Sequence, residues 1–229
     1  MPTKPVIPAL SLNFLKALQQ NNNREWFSSH KENYLEALAA IEIFSDGLLV
    51  DLNAHDIIET ASGKRSLHRI YRDTRFSADK TPYKNNWSGH FRRATVQRRG
   101  GYYFHVEPGN SYVAGGFWAP DAKDIKRIRN GISHDPEALR AILKSKKFIE
   151  NFGELKGEKV RTAPKGFDLK NEAIDLLRFK QFILVRKFTD DEILNTEFIE
   201  QAGQTFKNMR PFFDYMSGIL TFDNNGQSI

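Results

Sequence analysis

Apolar residues recur every three to four positions in two long stretches, residues 24–52 and 196–221. This spacing predicts two long helices, and His30 is expected to lie inside the first of them. A shorter helix is predicted to begin at Ser11, because serine is a favourable N-cap. Pro211 lies within the C-terminal stretch, where a proline predicts a kink or a break.

Apolar and polar residues alternate between the two helical stretches. The alternation covers residues 86–92, 101–107 and 112–118, and a further apolar run lies at 182–188. The paired glycines Gly115-Gly116 indicate a bulge or a close approach of two backbones. These patterns predict an α+β fold, in which an antiparallel or mixed sheet is packed by N-terminal and C-terminal helices.

The pattern gives no convincing boundary between domains. Residues 1–10 contain three prolines and are predicted to form an extended N-terminal arm. Residues 11–222 are predicted to form a single domain, and residues 223–229 a frayed tail.

Composition narrows the class of protein. The 229 residues are 40% hydrophobic, which is enough for a core, and no cysteine is present. Disulfides, thiolate zinc sites and a cysteine nucleophile are therefore excluded. No apolar run approaches the 18 or so residues of a membrane span, and the N-terminus has no signal-peptide core. A cytoplasmic protein without a membrane partner is expected.

The most polar stretch of the chain is Arg69 to Lys84, called here the 69–84 loop. It carries five basic and two acidic residues, and the formal net charge of the whole chain is +6. Arginine forks and lysine ammonium groups bind phosphates and carboxylates, so the loop is a candidate anion site. The predicted ligand-binding residues are Arg72, Arg75, Lys80 and Lys84. In the alternative interpretation, the charges of the loop pair with one another.

Two histidines and a glutamate lie on the predicted strands. A hairpin centred between Gln97 and Arg98 would place His90 opposite His105, Ser88 opposite Glu107 and Arg92 opposite Tyr103. Such a set is able to transfer a proton near neutral pH, with His105 as the first candidate, Glu107 orienting it and His90 as the second. His-x-Glu without a third ligand is a weak metal motif, so no metal site is predicted and the cofactor is left unknown. In the alternative interpretation, each histidine only hydrogen-bonds a neighbour.

The tip of this hairpin, Arg92 to Arg99, contains four arginines in eight residues. A basic tip of this kind is able to contact phosphate backbones, which makes nucleic acid a second candidate partner. A charged, exposed turn without a ligand is the alternative.

Several motifs resemble one uncharacterised family. They are Asn23-Arg24-Glu25-Trp26-Phe27, Thr74-Arg75-Phe76-Ser77, Pro82-Tyr83-Lys84, the segment from Tyr102 to Pro108, Gly115 to Pro120, and Pro164 to Asp168. Together they are similar to the conserved-hypothetical family called domain of unknown function 2461. The resemblance implies a single cytosolic α+β domain of bacterial type. It carries no assigned catalytic residues, so none are transferred to this chain.

Three functions remain open at this point. The first is a basic and aromatic cleft that binds a small phosphate- or carboxylate-bearing ligand, with proton transfer by histidine. The second is nucleic-acid binding through the arginine-rich hairpin, and the third is a protein-interaction domain without catalysis. Whether the chain is an enzyme and how it oligomerises are not indicated.

Overall fold

A computed structural model describes residues 4–94 and 97–221 of the chain. Its helices are α1 Ala9–Gln20, α2 Arg24–Ser29, α3 Lys31–Asn53, α4 Gly63–Ser66, α5 Ala122–His134, α6 Pro136–Lys144, α7 Lys146–Phe152, α8 Ile174–Leu177, α9 Asp190–Leu194, α10 Phe198–Asn208 and α11 Arg210–Thr221. Its strands are β1 Trp87–Arg92, β2 Gly101–Val106, β3 Ser111–Phe117 and β4 Phe182–Phe188. No helix in the described ranges is long and apolar enough to cross a bilayer.

The four strands form one antiparallel sheet in the order β1-β2-β3-β4. The predicted α+β class is confirmed, and the alternation of the first three strands and the apolar run of the fourth placed all four to within a residue or two of their ends. Gly116, on β3, has φ 141°, and a Cβ atom there would lie 2.1 Å from the carbonyl oxygen of Phe182 on β4. The backbones therefore approach closely at this glycine, as its sequence context predicted.

Three predictions at the N-terminal end were wrong in detail. Helix α1 begins at Ala9, so residues 9 and 10 are not part of an extended arm, and the side chain of Ser11 is buried inside the helix instead of capping it. The stretch 24–52 is divided into α2 and α3 at His30, whose φ and ψ are −112° and 25°. The ring of His30 stacks on Trp26 with centroids 4.1 Å apart, and its Nδ1 lies 2.8 Å from the Trp26 carbonyl oxygen. His30 therefore lies at a junction between helices.

The C-terminal stretch is also divided in two. Helix α10 ends at Asn208 and α11 begins at Arg210, so Pro211 is the second residue of a new helix. A proline is tolerated in the first turn, because the amide hydrogen that it lacks would have no partner inside the helix there. The predicted break is confirmed, but it lies two residues before the proline.

The described residues form two compact units. Unit 1 contains residues 4–91, 103–113 and 187–204, and its core includes Phe44, which packs on Phe104 and Phe198 with centroids 5.7 and 5.4 Å apart. Unit 2 contains the remaining described residues, and in its core Phe213 packs on Tyr102 with centroids 4.9 Å apart. The predicted limits of 11–222 for a single domain stay a prediction, and the predicted tail at 223–229 lies outside the described residues.

Candidate functional site

The 69–84 loop belongs to unit 1 and is closed at its base by the backbone. Arg72 N–H donates to the Pro82 carbonyl oxygen at 2.9 Å, and Lys84 N–H donates to the Ile70 carbonyl oxygen at 2.7 Å. Tyr71 and Tyr83 form an antiparallel bridge between these bonds. The loop therefore has a short two-stranded stem, which explains how so polar a segment keeps a defined shape.

The stem is held against the N-terminal helices by Tyr83. Its ring is 5% exposed and stacks on Phe27 of α2, with centroids 4.0 Å apart. Asn22 accepts a hydrogen bond from Tyr83 N–H at 3.1 Å and donates one to the Tyr83 carbonyl oxygen at 3.0 Å. An aromatic stack and two hydrogen bonds thus fix the end of the loop that carries Lys84.

Arg72, a predicted ligand-binding residue, is already engaged within the loop. Its guanidinium donates to the carboxylate of Asp79 and to the hydroxyl of Thr81. The Arg72 contact, followed by the Thr81 backbone N–H and hydroxyl, lowers the pKa of Asp79 to about 2. Asp79 therefore stays ionised at neutral pH, and its negative charge balances the positive charge of Arg72.

The exposed end of the loop is paired in the same way. Arg75 Nε and Nη2 donate to the two carboxylate oxygens of Asp73, at 3.0 and 2.7 Å. Lys80 Nζ donates to the carbonyl oxygen of Thr74 at 2.9 Å. The ligand-binding roles of Arg72, Arg75 and Lys80 stay a prediction, and each of these groups would have to leave a present partner to bind an anion.

Lys84 and Arg69 differ from these three basic residues. Within residues 4–94 and 97–221, neither side chain forms an ion pair or a hydrogen bond. Lys84 is partly buried, and this burial, followed by the charge of Arg69, lowers its pKa. Among the described residues, these two neighbouring cations in the stem therefore form no ion pair with a carboxylate. The charge of Arg69 does contribute, after the hydrogen bonds from Arg75, to the lowered pKa of Asp73.

His68 is near enough to Lys84 for the charge of that lysine to affect its pKa. Its Nδ1 is 3.3 Å from the hydroxyl of Ser88 on β1, and its ring is 5.9 Å from that of Tyr103 on β2. Partial burial lowers the pKa of His68, and the charges of Lys84 and then His90 lower it further. His68 therefore connects the cations of the loop with the polar face of the sheet.

His105, the predicted proton-transfer residue, is enclosed by polar and aromatic partners. It is 9% exposed, its Nε2 lies 2.9 Å from Glu107 Oε2, and its Nδ1 lies 3.1 Å from the hydroxyl of Tyr103. The ring also stacks on Tyr112 of β3, with centroids 4.6 Å apart. Both ring nitrogens of His105 are therefore occupied.

Glu107 is positioned by the turn that follows β2. Asn110 Nδ2 donates to Glu107 Oε2 at 2.8 Å, and Glu107 N–H donates to the hydroxyl of Ser111 at 3.1 Å. The carboxylate is thus held towards His105, as expected of a residue that orients an imidazole.

Tyr112 extends this arrangement to a third strand. Burial, the charge that Tyr103 acquires on ionisation, a hydrogen bond to Tyr103 and the charge of Glu107 raise the pKa of Tyr112 to about 12. The rings of Tyr103 and Tyr112 lie 5.9 Å apart. Tyr103 is therefore in contact with His68, His105 and Tyr112.

His90, the second catalytic candidate, is exposed on β1, and its charge contributes to the lowered pKa of His68. The register that pairs it with His105 stays a prediction. Within the described residues no group of three histidine, aspartate or glutamate side chains is arranged to hold a metal ion.

The arginine-rich tip belongs to unit 2 and is largely structural. Arg93 is only 2% exposed, donates to Asp214 at 3.0 Å, and lies 4.9 Å from the centroid of the Phe213 ring. Arg99 pairs with Asp124. The alternative interpretation of the tip as a charged, exposed turn therefore does not hold for Arg93, which is buried, while Thr95 and Val96 at the tip lie outside the described residues.

Comparison with known proteins places the chain in a family. A family model described as conserved hypothetical protein, DUF2461, matches residues 11–215. The chain belongs to the DUF2461 family. The resemblance predicted from the motifs is thereby confirmed over nearly the whole chain. Neither a search of curated proteins nor one of solved structures found a match.

Sequence reasoning singled out His105 and Glu107 in this DUF2461 protein but missed His68 and Tyr112 as parts of the same face. Tyr103 was placed near the site only as a cross-strand neighbour. Its position two residues before His105, which puts both side chains on one face of β2, was the signal available. No comparable signal existed for His68, which lies in a connection before the sheet.

Proposed function

We propose that unit 1 binds a small phosphate- or carboxylate-bearing anion at Lys84 and Arg69, next to a proton-transfer group formed by His105 and Glu107. The observation that carries this proposal is the pair of adjacent cations without an ion-pair partner in the described residues. The other three basic residues of the loop already have a carboxylate or a carbonyl oxygen as a partner. An anion would supply the missing counter-charge.

Electrostatics favours this location over the exposed end of the loop. Burial lowers the pKa of both Lys84 and His68, and repulsion between like charges lowers both further, from Arg69 on Lys84 and from Lys84 and His90 on His68. An anion placed between them relieves that repulsion, and the relief adds to its binding energy. At Arg75 an incoming anion would instead compete with Asp73.

Proton transfer is supported by the partners of His105. The Glu107 carboxylate stabilises an imidazolium, so His105 is able to accept a proton and hold it in place. His90 is kept as the second candidate, because it lies near His68 at the edge of the same face. The reaction would be proton abstraction from, or donation to, the ligand held by Lys84.

Isothermal titration calorimetry with inorganic phosphate, sugar phosphates, nucleotides and small carboxylates tests the anion site. Lys84→Gln is expected to weaken the binding of the tightest ligand by about tenfold or more, the usual loss for a charged hydrogen bond. Lys64→Gln is the matched control, because Lys64 is in the same unit and its side chain is 76% exposed. The proposal is contradicted if Lys64→Gln weakens ligand binding as much as Lys84→Gln does, or if the wild type binds none of these anions.

Short single- and double-stranded nucleic acids belong in the same panel. The nucleic-acid alternative is weakened by the internal roles of Arg93 and Arg99. Binding of nucleic acid that falls steeply with salt and is unaffected by Lys84→Gln would favour that alternative.

A further inference from the structure

His105 has no nitrogen left to face a ligand. Neutral imidazole has one donor and one acceptor nitrogen. An ionised carboxylate only accepts, and Glu107 Oε2 lies 2.9 Å from Nε2, so Nε2 carries the proton. Nδ1 is then the acceptor for the hydroxyl of Tyr103, 3.1 Å away.

Tyr103 is the member of this group that is open to a ligand. Its side chain is partly exposed, whereas the side chain of His105 is only 11% exposed and is covered on one face by Tyr112. The ring of Tyr103 also lies 5.9 Å from that of His68, whose pKa is lowered by burial and then by the charges of Lys84 and His90. Of the two groups, the phenol is therefore the one that a ligand is able to contact.

The hydrogen bonds run in one direction. Tyr103 donates to His105, and His105 donates to Glu107. A hydroxyl has one donor and two acceptor positions, so the Tyr103 oxygen, whose own proton faces His105, is able to accept a proton from outside.

We infer that Tyr103 is the residue that exchanges a proton with the ligand of this site. His105 accepts the proton that the phenol gives up, and Glu107 stabilises the resulting imidazolium. The inference rests on the proposed function for the identity of the ligand as an anion. In the forward step the ligand's acidic X–H bond breaks and its proton bonds to the Tyr103 oxygen. The phenol's own proton moves to His105 Nδ1. The products are the conjugate base of the ligand, a neutral Tyr103 and an imidazolium paired with Glu107.

The first test is made on the free protein and needs no ligand. Nitrogen-15 NMR of the histidine rings is expected to show His105 protonated at Nε2 and unprotonated at Nδ1. Tyr103→Phe is expected to shift the Nδ1 resonance while Nε2 stays protonated. A neutral His105 protonated at Nδ1 would overturn the inference, because the phenol would then have no acceptor.

The second test measures the reactivity of the phenol. Acetylation of Tyr103 by N-acetylimidazole, followed by peptide mass spectrometry, is expected to slow by about tenfold or more when the base behind it is removed in His105→Gln. Glu107→Gln provides a second variant with the imidazole retained, and it is expected to slow acetylation in the same direction. Tyr71 is 46% exposed in the same unit and serves as the internal reference in every sample.

Faster acetylation of Tyr71 in His105→Gln would indicate unfolding of that variant, and the Glu107→Gln result then decides. Unchanged acetylation of Tyr103 in a folded variant overturns the inference. Both tests are independent of anion binding. If phosphate and the carboxylates fail to bind while both tests succeed, the proposed ligand class is wrong and the proton-exchanging role of Tyr103 stands.

Discussion

His105 Nε2 and Glu107 Oε2 lie 2.9 Å apart, although the two residues are separated along the chain only by Val106. Alternation along a strand places both side chains on one face, while Val106 between them is fully buried on the other. The dyad is therefore a local product of β2 and the turn after it. Its contact with Tyr112, in contrast, requires β3 to pair with β2 in the observed register.

Lys84→Gln is expected to raise the pKa of His68 towards its ordinary value, as measured by proton NMR titration of the imidazole. The pKa is lowered by burial, by Lys84 and by His90, so removing one cation removes one of these causes. The remaining neighbours of the ring, Ser88 and Tyr103, stay in place. Lys64→Gln should leave the titration unchanged, and an unmoved midpoint in Lys84→Gln would show that the two groups are not coupled.

The Thr81 amide is expected to report the ionisation of Asp79, because its N–H donates to Asp79 Oδ1 at 2.9 Å. The pKa of Asp79 is lowered to about 2, so the contacts are intact above the ordinary carboxyl pKa of 3.8 and are lost as the pH falls towards 2. Arg72→Gln should move the midpoint of the amide titration upward. A midpoint near 3.8 in the wild type would contradict the pairing with Arg72.

Arg93→Met is expected to lower the free energy of unfolding by about 2–4 kcal/mol in urea denaturation, because the side chain is buried and its hydrogen bonds are lost. Arg93 donates to Asp214, to the Arg99 carbonyl oxygen and to Ser217. Lys126→Met, at an exposed position of α5, should change stability by no more than about 0.5 kcal/mol. Equal effects of the two changes would mean that Arg93 is a surface residue.

Gly116→Ala and Gly218→Ala are expected to have opposite effects on stability. At Gly116 a Cβ would meet the Phe182 carbonyl oxygen at 2.1 Å with φ at 141°, so a loss of about 2 kcal/mol or more is expected. At Gly218, inside α11, a Cβ would have no neighbour within 4 Å, so alanine should stabilise by about 0.5–1 kcal/mol. Thermal unfolding of both variants checks the signs, and a tolerated Gly116→Ala would disprove the close approach at β4.

The sheet was predictable from the sequence because alternation is a local property of each strand. Which arginines are buried and which are exposed could not be predicted in this way. Arg92 and Arg93 are adjacent and identical in the sequence, yet Arg93 is buried against Asp214, 121 residues further along the chain. Such a partner is supplied only by tertiary packing, so a run of arginines predicts a basic surface until the fold is known.

The junction at His30 shows the same limit for helices. The apolar spacing continues through it, and spacing alone therefore predicted one helix. At the break the imidazole of His30 folds back onto the Trp26 ring and carbonyl oxygen, an interaction that hydrophobic periodicity does not encode. Likewise, the sequence does not distinguish Lys84 from Arg72, since both are basic residues of the same loop. Only the folded position of Asp79 gives Arg72 an ion pair, which Lys84 lacks within the described residues.

The side chain of Asn22 pairs with both the N–H and the carbonyl oxygen of Tyr83, as a neighbouring strand would, across 61 residues of sequence. The connection between α1 and α2 therefore substitutes for a missing strand at the edge of the loop's stem. Local opening of the stem must break these bonds together with the stack on Phe27. We expect the 69–84 loop and the start of α2 to exchange their amide hydrogens as one cooperative segment, so that an anion bound at Lys84 would slow exchange in both.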